Sequence, residues 1–373
     1  MKKILLGTSA LVAAAAFSAP ASAAEKIKLS LDGYATFGAA YVDSDIQDSR
    51  DITFGSDAEV HFKGDTTLDN GLKVGFKAEL ELEKDTGDAD FTGAVSKTTA
   101  DVIDEVYMYV SGGFGEIQFG QNDGVADQFQ VYAPWVFVEH GANDYDMSAA
   151  GQAADVSVLS ILDESDDYTK ITYMSPRVGG FQFGASYTPE GEKNRTGYNN
   201  ILDNYDRDGD GLESIFEAAV NYERSWNDVD FAASATYLTA DVIDTFGFDS
   251  SPGDFDGFSL GSQLCYAGFC FGGSYTERET DESGVNTERH DWDLGATYEI
   301  GPWILGVNYG SYSGATKPDP MGVISDPDAE QIVGGVAYKL GPGIQIGLGY
   351  EQANNDETDE EASAVFTEFA IDF

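Results

Sequence analysis

The chain of 373 residues carries 66 Asp and Glu against 20 Lys and Arg, a formal charge of −46 at pH 7. Acidity on this scale argues against nucleic acid as a partner, since Lys and Arg would have to neutralise the phosphates. The 43 Gly, 23 Phe and 20 Tyr exclude a disordered polyelectrolyte, which is poor in aromatics. They suit an all-β chain of short alternating segments.

The first element is Met1-Lys2-Lys3, then an apolar run from Ile4 to Phe17, then Ala21-Ser22-Ala23. A basic start, a short apolar stretch and a small-x-small site describe a secretory signal peptide. It spans residues 1–23, with cleavage after Ala23, and leaves 24–373 as the mature chain. No later run approaches the ~20 apolar residues a spanning helix needs.

Sixteen strands are then predicted in order. The first eight are Ile27–Tyr41, Asp51–Gly64, Leu72–Glu83, Glu105–Val110, Glu116–Gly120, Tyr168–Ser175, Phe181–Thr188 and Phe216–Arg224. The second eight are Asp230–Leu238, Gly257–Tyr266, Phe269–Glu277, Asp291–Ile300, Trp303–Ser311, Glu330–Leu340, Ile344–Gln352 and Ser363–Phe373. Short turns such as Asp69-Asn70-Gly71, Ala267-Gly268 and Gly301-Pro302 alternate with long acidic connections over 85–102, 121–167, 189–214, 240–255, 278–290, 312–328 and 353–362. Short turns at one end and long loops at the other are the pattern of an outer-membrane barrel.

The faces of these strands support that pattern. Leu72, Val74, Phe76, Ala78, Leu80 and Leu82 share one face, and Lys73, Gly75, Lys77, Glu79 and Glu81 the other. The apolar face ends in Tyr41, Tyr187, Tyr237, Tyr275, Tyr309 and Tyr350 at one border. At the other it ends in Tyr173, Tyr222, Tyr266, Tyr298, Tyr338 and Phe373. Two aromatic rows bordering an apolar band are what a membrane barrel needs at its two interfaces.

The stretch 121–167 breaks the alternation. It carries Phe129, Val131, Trp135, Val136, Phe137, Val158, Leu159 and Ile161, which need a wall to pack on. A loop this long within a regular chain is usually functional or disordered. Folded into a sixteen-strand barrel, it would narrow an otherwise wide aqueous channel. Its carboxylates Asp123, Asp127, Glu139, Asp144, Asp146 and Asp155 are then candidates for the acidic side of a constriction. Arg50, His61, Lys63, Lys73 and Lys77 are candidates for a basic wall. Acidic rings favour cations, so cation selectivity is expected.

Asp206, Asp208 and Asp210, with Gly211 and Glu217, fit the spacing D-x-D-x-D-G-x5-E of a calcium loop. Their flanks are polar loop and strand instead of two helices, and Glu217 reads as an inward strand residue. A divalent-cation site on the three aspartates and a plain acidic turn both stay open, and no other cofactor is expected. Cys265 and Cys270 face each other across a short hairpin, and export to an oxidising compartment makes a disulfide plausible. The only histidines, His61, His140 and His290, lie in no catalytic signature. An enzyme or an adhesin is thus the weaker alternative, and a substrate-specific channel the nearer one.

With its exported N-terminus, its sixteen strands and the terminal aromatic strand Val365, Thr367, Phe369, Ile371, Phe373, the mature chain resembles the Gram-negative general diffusion porins. The opening Lys28-Leu29-Ser30-Leu31-Asp32-Gly33-Tyr34 is most similar to the alphaproteobacterial branch. The Pro-Glu-Phe-Gly motif of enterobacterial relatives is missing from 121–167. The resemblance implies a 16-stranded antiparallel transmembrane β-barrel with a loop folded into its lumen, passing small hydrophilic solutes passively. It further implies a homotrimer in the cell outer membrane among lipid and lipopolysaccharide, with Phe373 as a signal to the barrel-assembly machinery.

Overall fold

The computed structural model describes residues 26–45, 51–82, 103–138, 140–143, 147–191, 211–243, 253–282, 285–316 and 328–373. The signal peptide 1–23, Arg50, Glu139, Asp144, Asp146, Asp206, Asp208 and Asp210 lie outside them.

Sixteen strands form one closed antiparallel barrel, each paired with its chain neighbours. They are β1 (Lys28–Ser44), β2 (Ile52–Thr67), β3 (Lys73–Glu81), β4 (Ile103–Gly112), β5 (Gly115–Gln121), β6 (Thr169–Met174), β7 (Phe181–Glu190) and β8 (Gly211–Trp226). There follow β9 (Val229–Ile243), β10 (Gly253–Tyr266), β11 (Phe269–Glu282), β12 (Val285–Ile300), β13 (Trp303–Thr316), β14 (Asp328–Gly341), β15 (Ile344–Asn355) and β16 (Glu360–Asp372). Each predicted strand finds its counterpart. The main correction is length: β8 starts at Gly211, and β11 and β12 run through most of the expected loop 278–290. A β ladder needs only backbone partners, so it continues above the apolar band on acidic residues that hydropathy does not mark.

Closure is made by β1 against β16, from Tyr34↔Asp372 to Ser44↔Ala362. The last residue takes part: Phe373 N–H donates to Gly33 O at 3.0 Å and Gly33 N–H to Phe373 O at 2.9 Å. No strand edge is then left unpaired, which a barrel in lipid requires. The short turns follow from local chemistry. Ala267 and Gly268 both have positive φ, 52° and 86°, the backbone of a two-residue hairpin whose twist matches its strands. Directly above it Cys265 and Cys270 pair in register and are joined by a disulfide.

One face of the sheet is apolar and exposed: Phe54, Leu294, Leu348, Phe271 and Val365 all stand open. Tyr41, Tyr187, Tyr237 and Tyr350 are exposed along one border of this band, and Tyr173, Tyr266 and Phe373 along the other. The buried apolar residues lie on the opposite, polar face, under the segment 122–167. This segment contains two short helices, α1 (Val125–Gln128) and α2 (Ala149–Ala154). Ala126 and Leu162 pack with Ile215, Leu238 and Phe255. Val136, Phe137 and Ala142 pack with Val333, Ala337 and Phe366, and Ala150, Val156 and Val158 with Tyr312, Ala353 and Ala364. Fully burying one of the larger of these, a Val, Leu, Ile or Phe, contributes about 1.5–3 kcal/mol.

Candidate functional site

The site is built from two parts, the segment 122–167 and the polar faces of the strands around it. Strands between β7 and β15 receive the segment through glycines. An added Cβ at Gly184 would meet Val125 and Phe129, at Gly257 Leu162, at Gly306 Val136, and at Gly347 Phe137. At Gly261 it would come within 1.6 Å of the Val131 carbonyl oxygen. The missing side chains form the bed in which the segment lies.

Carboxylates of the same face hold its backbone. Glu105 Oε1 accepts from Asp123 N–H at 3.1 Å, Asp293 Oδ2 from Ala133 N–H at 2.7 Å, and Glu368 Oε1 from Val138 N–H at 2.9 Å. Farther on, Glu351 Oε1 accepts from Ala150 N–H at 2.8 Å and Asp291 Oδ1 from Leu159 N–H at 2.8 Å. Charge-assisted bonds of this kind are the stronger ones. Glu351 also takes His140 at 2.8 Å and Ser148 Oγ at 3.0 Å through Oε2. The His140 ring stacks on Phe366, with centroids 3.9 Å apart.

Cations hold its carbonyls. Arg278 Nη1 donates to Leu159 O at 2.7 Å and to Asp291 at 3.2 Å, and its other nitrogens reach Ile161 O and Glu164. Arg289 grips both oxygens of Asp291, at 2.7 and 2.8 Å, and donates to Ser157 O. Lys170 Nζ donates to the carbonyls of Asn122 and Asp166.

Of the predicted acidic residues, Asp123 and Asp127 come together, joined by Asp163, with one carboxylate oxygen from each within 4.8 Å of the others. Glu105 and Asp167 form an overlapping trio with Asp123. Desolvation raises the Asp127 carboxyl to about 6, and repulsion from Glu217, Asp167 and Glu105 adds to it. Asp123 and Asp163 are raised well above the ordinary carboxylate value, by desolvation first and then by Asp127. Asp155 stands apart and exposed, as the left-handed C-cap of α2, with φ 52°. Glu217 is buried, donated to by Ser186 Oγ and set beneath Gly124. Its carboxylate therefore serves the segment's entry.

Of the basic candidates, the four that are described share the polar faces of β2 and β3, each beside a carboxylate. Lys63 lies 3.0 Å from Asp32, and His61 lies 2.8 Å from Glu59 and 3.1 Å from Asp32. Lys77 contacts Glu79 and reaches Glu105 at 3.1 Å, while Lys73 lies 3.4 Å from Asp65. Tyr107 and Tyr109 complete this patch, under Lys77 and Lys73 at 5.9 and 5.6 Å. The wall is thus a mixed field of matched charges.

Several of these residues escaped the sequence reading. Arg278 and Arg289 sat in an expected loop, although continuing the Ser274, Thr276 parity would have turned Arg278 to the polar face. The glycines that alternate along the polar faces of β10, β13 and β15 were also visible as parity.

The chain matches the family described as Gram-negative porin over residues 10–358. It belongs to that family. Solved structures of similar fold include the anion-selective porin from Comamonas acidovorans, 16% identical, covering 93% of this chain and 100% of that one with a TM-score of 0.63. OmpF of Salmonella typhi in complex with daunomycin is 15% identical, covering 93% and 98% with a TM-score of 0.63. The trimer form of OmpT, an outer membrane protein of Vibrio cholerae, is 15% identical, covering 94% and 100% with a TM-score of 0.62. A search of curated protein sequences gave no match. Family and fold make this porin an outer-membrane β-barrel and a passive diffusion channel, and point away from an enzyme.

Proposed function

We propose that this porin forms a water-filled pore for small hydrophilic solutes that prefers cations, narrowed by the segment 121–167 folded into its lumen. The observation that carries the preference is the carboxylate group Asp123, Asp127 and Asp163, which Glu105 links to Lys77, while the basic side chains of β2 and β3 already have carboxylate partners. Net negative charge in such a group attracts cations and repels anions. One porin of the same fold is described as anion-selective, so the fold leaves the sign of selectivity to the side chains. The inward course of the segment is supported by its bonds to one face of the sheet from β7 (Ser186) through β12 (Asp293) to β16 (Glu368).

The test is the reversal potential across a potassium chloride gradient. The wild type should give a cation-directed potential, and Asp123→Asn with Asp127→Asn and Asp163→Asn should move it toward zero. An anion-directed wild-type potential would reject the preference.

The same reading includes a homotrimer, supported by the trimer form of the V. cholerae relative, and an exported precursor whose residues 1–23 are removed. It places Phe373 as the assembly signal, contacts with lipid and lipopolysaccharide on the apolar face, and an alphaproteobacterial affinity resting on Lys28–Tyr34. It keeps Asp206, Asp208 and Asp210 as a calcium-binding turn, whose replacement by alanine should abolish any rise in thermal stability with calcium.

A further inference from the structure

A cavity of about 370 Å³ lies beside the segment's middle stretch, between residues 130–138 and the polar faces of β9 and β10. Its size is at the lower end for small-molecule sites. Two features set it apart from the rest of the polar face. Among the described residues its lining holds no charged side chain: Gln130, Tyr132, Trp135, Phe137, Ala232 and Gln263 are its principal members, and the others are Val, Ala and Pro. In a chain that is 23% charged, this neutral surface lies within a strongly ionic interior.

The second feature is a fixed pair of rings. Tyr132 and Trp135 stand with centroids 5.3 Å apart and planes inclined by 38°, and Tyr132 is 36% exposed. The indole is held from behind. Trp135 Nε1 donates to Asn143 Oδ1 at 2.9 Å, and the Gly141 backbone presses on the pyrrole ring, where an added Cβ would come within 2.2 Å. With its N–H satisfied, the indole offers its face. Gln130 is fixed as part of the wall, donating from Nε2 to Ser259 Oγ at 2.6 Å and to Ser160 O at 3.4 Å and accepting from Thr236 Oγ1 at 3.5 Å. Gln263 brings a second amide to the rim.

We propose that this cavity is a solute subsite for a neutral pyranose sugar, an inference resting on the reading of the protein as a channel. The face of a pyranose that carries its axial C–H bonds is weakly positive and matches the negative face of an aromatic ring. The equatorial hydroxyls at the ring's edge match the Gln263 amide, which both donates and accepts. The neutral lining disfavours ionic solutes, which would lose hydration without gaining a counter-charge. The subsite adds weak selectivity to a diffusion pore, detaining sugars on the path while ions pass.

Binding is measured first by saturation-transfer NMR of glucose on the detergent-folded protein, which requires no conductance. The expected result is saturable transfer to the ring C–H protons, weakened about threefold to tenfold in Trp135→Ala and largely retained in Trp135→Phe. Sorbitol, with similar hydroxyls but no ring face, should bind no better than glucose binds Trp135→Ala. Equal binding of sorbitol and glucose would overturn the proposal, and so would unchanged glucose binding by Trp135→Ala. Tighter binding of choline than of glucose would reassign the ring pair as a cation platform and overturn it too. Native-like heat-modifiable gel mobility confirms that each variant is folded, and Gln263→Leu, on the barrel wall, provides an independent weakening mutation. Planar-bilayer conductance separates the two readings. Conductance without glucose binding removes the subsite and leaves the channel, whereas glucose binding without conductance does the reverse.

Discussion

At the residue scale, single buried carboxylates decide where the segment 122–167 lies. Glu351 satisfies His140, Ser148 and the Ala150 N–H at once and is fully buried. Glu351→Ala strands those donors, and a buried donor left without its acceptor costs about 1–3 kcal/mol. The loss should fall on the segment, since the barrel ladder is untouched. Limited proteolysis should then cut within 138–158 in the variant and not in the wild type, with global heat stability changed much less. Asp127 carries the pH response. Its folded-state value of about 6 lies above the ordinary 3.8, so the native state binds the extra proton. The destabilisation from its charge is fully present above about pH 6 and disappears as pH falls toward 4, so stability rises in that direction. On the proposed reading, the same proton removes negative charge from the pore. Cation preference, read as reversal potential, should decline between pH 7 and 5, and Asp127→Asn should flatten that decline. A response identical in wild type and variant would transfer the titration to Asp123 and Asp163, whose carboxyls are coupled to it.

At the element scale, the segment and the strands are matched by subtraction. The polar faces of β10 and β13 are bare where Val131 and Val136 approach Gly261 and Gly306. Gly261→Val fills the space of the Val131 carbonyl and should displace the segment without opening the barrel. The expected result is higher single-channel conductance with unchanged heat-modifiable mobility, and equal conductance would show that the segment does not limit flow. The closing strands make the complementary case. Phe373 contributes both hydrogen bonds to Gly33 and an exposed ring at the border of the apolar band. Deleting Phe373 should lower the yield of folded barrel several-fold, measured by heat-modifiable mobility, while Phe373→Tyr, which keeps backbone and ring, should not.

At the scale of the whole molecule, the excess of acid divides by role. Part of it is structural: Glu105, Asp291, Asp293, Glu351 and Glu368 are occupied by the segment's backbone. Part of it balances the cations of β2 and β3. A preference exerted at a distance is screened by salt, so the proposed cation selectivity should be sensitive to it. The Debye length is about 10 Å at 0.1 M and about 3 Å at 1 M. The permeability ratio of potassium to chloride should therefore fall as mean salt rises over that range. A constant ratio would mean that selection occurs at contact distance, at the three clustered carboxylates alone.

Strand number, strand order and face are determined by the sequence itself, because a two-residue period leaves no choice of side once one face meets lipid. The six tyrosines from Tyr41 to Tyr350 and the aromatic end at Phe373 mark the borders for the same reason. The need of Phe129, Val136 and Phe137 for a wall was likewise legible, since apolar residues in a polar chain must be covered. Strand lengths were less so: the upper parts of β8 and β12 are held by backbone pairing, which has no compositional signature. Partners were not legible at all. That Asp163 joins Asp123 and Asp127, that Arg278 on a strand clasps Glu164, and that Glu351 meets His140 from 211 residues away depends on the path of an irregular segment. No local period specifies that path. It is decided by which glycines leave room and which buried charges find a donor, and only the closed barrel brings those together.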